Sequence, residues 1–192
     1  MDDKISGMHL GSCLVGEDEI TEIVERLARE ISGHYESLVS EENPLLLVGI
    51  LKGAVVFLSD LARALDVPVS LDFMAVSSYG ASTDSSGVVR ILHDLDTPIE
   101  DRHVLIVEDI VDTGLTLQYL REHFSARGPA SIGVVAFLDK PDRRAVDVAV
   151  EYVGRSIPDE FVVGYGLDWN QRHRALPCVR VIEEMSSEGE NG

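Results

Sequence analysis

Residues 104–116 constrain this chain more than any other stretch: Val-Leu-Ile-Val-Glu-Asp-Ile-Val-Asp-Thr-Gly-Leu-Thr. The apolar quartet at its start reads as a buried strand of a parallel sheet. Thr113, Gly114 and Thr116 then make a tight turn that can open a helix. Such a strand–loop–helix junction turns backbone N–H groups toward an anion, usually a phosphate. Glu108, Asp109 and Asp112 are out of place in a simple phosphate cradle, because like charges repel. They make sense if they bind sugar hydroxyls, hold Mg²⁺ or move a proton. A phosphorylated sugar with reactive chemistry at its far end would meet all these groups at once. The plainer reading is an ordinary strand-to-helix turn with solvated acids. It suits the Glu108–Asp109 pair alone, but not the whole run.

The rest of the chain alternates in the same way. Ile20, Ile23, Val24, Leu27, Ala28 and Ile31 recur at helical spacing, which predicts an amphipathic helix over about 17–39. The apolar run 45–50 predicts a buried strand. Ala54, Phe57, Leu58, Leu61, Ala62 and Leu65 predict a second helix that ends before Pro68. Further strands are expected at 69–76, 88–92 and 132–138, with a helix at 116–126 and shorter strand candidates at 148–153 and 161–163. Strands alternating with helices imply an α/β domain with a mainly parallel sheet, whose ligand sits at the carboxyl ends of the strands. We expect one domain over 1–185 and a disordered tail over 186–192.

Four other places carry chemistry-bearing residues. Lys52 and Gly53 follow the 45–50 run, where a positive charge and a close backbone approach suit a pyrophosphate. By itself this is as good a plain glycine turn with a solvated lysine. The stretch 77–87 is too polar to pack, and its Ser78, Tyr79 and Gly80 give a lid a hydroxyl, a ring and a hinge. Lys140 stands just past an apolar strand; in isolation it would be a solvent lysine. Residues 158–170 read as a strand, a glycine-punctuated turn and an acid, in which Phe161 would ordinarily be core and Asp168 a cap.

Taken together these segments resemble the type I phosphoribosyltransferases. Residues 158–170 with Lys140 resemble the hypoxanthine–guanine phosphoribosyltransferases of that family, in the shorter bacterial form. The resemblance runs from about residue 14 to 183, with five motifs in family order. It implies the type I fold: a mainly parallel twisted sheet flanked by helices, with a small hood from the chain termini. It also implies roles for residues. Asp112, Thr113, Gly114, Leu115 and Thr116 grip the 5′-phosphate of phosphoribosyl pyrophosphate, and Asp112 is the catalytic acid/base facing purine N7. Glu108 and Asp109 engage the ribose hydroxyls, directly or through Mg²⁺-bound water. Lys52, Gly53 and Arg174 bind pyrophosphate, with a non-proline cis peptide before Lys52; Arg172 is a rival for the arginine role. Ser78 and Tyr79 belong to the lid. Lys140, Phe161, Val162 and Asp168 form the purine site, and Asp168 joins Glu108 and Asp109 around Mg²⁺. Two departures stand out: Trp169 replaces the usual tyrosine, and Leu115 stands where the mammalian type carries lysine. Relatives of this kind are homodimers or homotetramers, so a homo-oligomer is expected.

Composition narrows the partners. Thirty-four acids against 16 bases give a formal charge of −18, which argues against nucleic acid and against anionic membrane. The apolar runs are short, and the start of the chain lacks the order of a signal peptide, so a cytoplasmic protein is expected. Cys13 and Cys178 show neither metal-ligand spacing nor a disulfide framework. The expected reaction transfers a 5-phosphoribosyl group to hypoxanthine or guanine. The competing readings are a xanthine-preferring sister enzyme, a non-catalytic nucleotide-binding regulator on the same fold, and an unrelated nucleotide-binding module. The last two have no reason to keep Asp112, Lys140, Asp168 and a lid together.

Overall fold

The computed structural model describes residues 8–78 and 89–184. In chain order its elements are β1 (Met8–Val15), α1 (Glu17–Tyr35), β2 (Leu45–Leu51), α2 (Val55–Ala64), β3 (Val69–Ser78), β4 (Val89–His93), β5 (His103–Val111), α3 (Leu115–Ser125), β6 (Ser131–Asp139), β7 (Tyr152–Ser156), β8 (Val162–Val163) and β9 (Val179–Glu184). A single 3₁₀ turn, Pro141–Arg143, follows β6.

Two sheets form. The larger has the order β4-β3-β2-β5-β6-β7, parallel throughout except for the antiparallel edge pair β3–β4. The smaller joins the two ends of the described chain in the antiparallel order β1-β9-β8. This is the mainly parallel sheet and the terminal hood expected above.

The strand period of two explains how the apolar run of β2 serves both faces. Leu45 and Leu47 pack with Leu27, Ile31, Phe57 and Leu61 under α1 and α2. Leu46, Val48 and Ile50 point the other way, to Leu117, Leu120 and Phe124 of α3. The central strand is therefore apolar at nearly every position, as a strand covered on both sides must be. Among the described residues no helix is long and apolar enough to cross a membrane.

Several boundaries differ from expectation. Helix α1 stops at Tyr35, because the N–H groups of Leu38 and Val39 both turn back to the Tyr35 carbonyl. The strand expected at 148–153 forms instead at Tyr152–Ser156. Val148 and Val150 are used as a loop that covers the α3 side of the core, a role that apolar character alone does not separate from a strand. Strand β5 runs on through Glu108 and Asp109, pairing Glu108 with Ala136 and Val111 with Asp139. The tail at 186–192 lies outside the described residues, as does Tyr79 of the expected lid; Ser78 is the last residue of β3.

Candidate active site

The site collects at the carboxyl ends of β2, β5 and β6. At the end of β5 the chain turns through Asp112, Thr113 and Gly114 into α3. Gly114 has φ 82°, a left-handed conformation, and a Cβ there would meet Val148 Cγ1 at 2.8 Å, so two constraints select glycine. The Leu115 N–H points to Thr113 Oγ1 at 3.4 Å. Glu108, Asp112, Thr113, Gly114 and Thr116 line a cleft of about 220 Å³ with Ile50, Val76 and Leu117 among its apolar walls. A helix N-terminus at the floor of a cleft is a ready anion site.

The two acids of β5 point to opposite faces. Glu108 is 7% exposed and faces this cleft. Burial, and then the charge of Asp109, hold its carboxyl well above the usual range. Asp109 lies on the other side, against the β2–α2 turn. A Cβ on Gly53 would sit 1.5 Å from Asp109 Oδ2, so the approach of this carboxylate requires a glycine there. Burial pushes Asp109 up to about 6, opposed by its bond from the Ile110 N–H and by the positive charge of Arg174. The Leu51–Lys52 peptide is cis, as the resemblance implied. Lys52 Nζ donates to Gln171 Oε1 at 3.2 Å.

Gln171 belongs to the loop between β8 and β9, which closes over this corner. Arg174 pairs with Asp168 at 2.6 Å and donates to the Gly166 carbonyl at 2.8 Å. The second Asp168 oxygen accepts the Gln171 N–H at 2.7 Å. The loop is seated on α2 by Tyr165, whose ring is buried and whose hydroxyl donates to Asp60 at 2.8 Å. The Arg174 side chain pairs with Asp168, and the Arg172 backbone closes a bridge to Trp169.

Lys140 follows β6, with its N–H bonded to the Val111 carbonyl, which places it beside Asp112. It is only 8% exposed, so the solvent-lysine reading fails. Its Nζ lies 3.6 Å from Asp159, Asp159 lies 3.5 Å from Arg143, and Arg143 Nε donates to Asp112 at 3.0 Å. The four charges alternate in sign along the edge of the cleft. Phe161 is 53% exposed, unusual for a phenylalanine and suited to stacking on a flat ring, while Val162 beside it is buried and paired with Val181.

Among the described residues no group of three or more His, Cys, Asp or Glu is gathered to hold a metal ion by itself. Glu108 faces the β5–α3 cleft, Asp109 abuts Gly53, and Asp168 is engaged by Arg174 and Gln171. The donors are nonetheless hard oxygens. Mg²⁺ is ordinarily held by one or two carboxylates together with substrate phosphates, and such a donor set fits it. Sequence reasoning missed Arg143, Arg144, Asp159 and Gln171. Arg144 holds Asp139 at 2.5 Å and reaches the Asp112 carbonyl at 3.4 Å. The only signal for the pair was their place directly after Lys140 in a basic turn.

The geometry agrees with comparison to known proteins. A profile of the phosphoribosyl transferase domain matches residues 16–170. The hypoxanthine-guanine phosphoribosyltransferase of Mycobacterium avium is 50% identical over 173 residues, 90% of this chain and 85% of that protein. The hypoxanthine phosphoribosyltransferase of Salmonella typhimurium is 48% identical over 171 residues, 89% of this chain and 94% of that one. A crystal structure of a hypoxanthine-guanine phosphoribosyltransferase from Bacillus anthracis matches with a TM-score of 0.84 at 40% identity, covering 90% of this chain and 99% of that chain. With a cleft at the β5–α3 junction and a hood built from both ends of the described chain, the chain belongs to the phosphoribosyltransferase family, on the hypoxanthine-guanine branch.

Proposed function

We propose that this chain transfers the 5-phosphoribosyl group of phosphoribosyl pyrophosphate to N9 of hypoxanthine or guanine, releasing pyrophosphate, a step of purine salvage. The observation that carries this reading is the position of Asp112. It stands between the backbone cradle of the β5–α3 turn and the Lys140 corner, where the two halves of the reaction meet.

The 112–116 turn binds the 5′-phosphate through N–H groups and the hydroxyls of Thr113 and Thr116. Glu108, held toward its neutral form, both donates to and accepts from ribose hydroxyls. Lys52, Gly53 and Arg174 receive the pyrophosphate. Mg²⁺, when bound beside Asp168, offsets the charge of the leaving pyrophosphate. Lys140 donates to the 6-oxygen of the base, Phe161 stacks on it and the Val162 backbone meets its edge. As the bond from C1′ to pyrophosphate breaks, N9 bonds to C1′ and Asp112 takes the proton carried at N7. Catalysis is then mostly positioning and charge stabilisation.

Asp112→Asn tests the assignment, because amide and carboxylate are nearly isosteric but only the carboxylate accepts the proton. The variant should bind phosphoribosyl pyrophosphate normally and lose turnover by about 10²–10⁴-fold. A variant within twofold of wild type removes Asp112 from the chemistry.

A further inference from the structure

Cys13 and Cys178 are 165 positions apart in the chain, yet the hood brings them together. Cys13 lies in β1, opposite Arg180 and between two irregularities of the β1–β9 pairing; Cys178 is the residue before β9. Both line one surface cleft at the N-terminus of α1, where the Cys13 thiol is near enough to raise that of Cys178. Cys13 is exposed and Cys178 half-buried, so an oxidant can reach the pair. We propose that Cys13 and Cys178 form an oxidation site, which closes to an intramolecular disulfide stapling the first strand of the hood to the last.

The chemistry needs a two-electron oxidant, of the peroxide class. One thiolate attacks the peroxide, its sulfur takes one oxygen as a sulfenic acid, and the other oxygen leaves as water. The second sulfur then attacks the sulfenic sulfur; the S–S bond forms, the S–O bond breaks, and a second water leaves. Two thiols and one hydrogen peroxide thus give one disulfide and two waters. Burial, the neighbouring thiol and Glu17 raise Cys178 above its usual range, with Arg180 opposing. A bond between residues so distant in sequence constrains the unfolded chain over nearly its whole length, the case in which a disulfide stabilises most. It also fixes the root of the loop bearing Asp168 and Arg174. Cys178 is part of that root, since a Cβ on Gly164 would lie 2.0 Å from its carbonyl oxygen.

The test uses the full-length protein, reduced, freed of reductant and treated with a small molar excess of hydrogen peroxide at mildly alkaline pH. Intact mass should fall by about 2 Da, with denatured thiols falling from two to none and returning with dithiothreitol. A peptide linking Cys13 to Cys178 should appear. The melting temperature of the oxidised wild type should rise by about 5 °C or more, and not that of Cys13→Ser or Cys178→Ser. A mass gain of about 16 or 32 Da without the 2 Da loss, a disulfide between two copies, or two thiols still titrating overturns the proposal. So does a linked protein that melts no higher than the reduced one.

Discussion

Asp72 on β3 and Glu108 on β5 are equally buried, each 7% exposed, and the protein treats them in opposite ways. Asp72 accepts N–H bonds from Phe73 at 2.7 Å and from Thr97 at 2.8 Å, tying the β4–β5 connection to the sheet. Burial alone would raise its pKa, but these bonds together outweigh it and hold the carboxyl below the usual range. Among the described residues Glu108 receives no such support: burial and Asp109 push it up, and its carboxyl faces a cleft. Burial therefore does not mark a functional acid. What marks one is burial without internal partners, at the strand ends where a ligand can supply them.

The comparison can be broken by substitution. Beyond Asp112→Asn, the largest effect is expected at the ligand end, from Lys140→Met. Losing a donor to the 6-oxygen should cost about 1.5–3 kcal/mol, or roughly 10–150-fold in kcat/KM for hypoxanthine. Glu108→Gln should raise the KM for phosphoribosyl pyrophosphate about tenfold and leave melting at pH 7 unchanged or higher, because it relieves a buried acid without structural partners. A large drop in melting would make Glu108 a structural acid like Asp72.

Asp72→Asn should do the reverse. It should leave both KM values and kcat within twofold of wild type, and should cost about 1–2 kcal/mol of stability, read in a urea titration. The smallest effect sharpens the contrast through pH. Because the folded-state pKa of Asp72 is lowered, its stabilisation is present above the unfolded value of about 3.9 and is lost as pH falls through the folded value. The gap between wild type and Asp72→Asn should hold from pH 7 to about 5 and shrink below about 4. A gap that widens in acid contradicts the sign.

Much of this was legible in the chain because the relevant residues are contiguous. The apolar runs of β2 and β5 and the turn through Asp112 and Gly114 lie within short windows, and the structure places them as read. The hood was not legible from periodicity: β1 contains Gly11, Ser12 and Cys13, and its pairing with β9 is decided by residues at the far end of the sequence. The Arg143 contacts were hidden for the same reason, since its partner Asp112 lies 31 residues away. That Glu108 and Asp109 serve opposite faces follows from the alternation along β5, which their adjacency in the sequence does not convey.

The most direct measurement is pyrophosphate release from phosphoribosyl pyrophosphate with hypoxanthine, guanine, xanthine and adenine in turn, each with Mg²⁺ and each with excess chelator. The account predicts turnover with hypoxanthine or guanine, none with adenine, and none in chelator. Adenine turnover matching hypoxanthine, or full activity without a divalent cation, would contradict it.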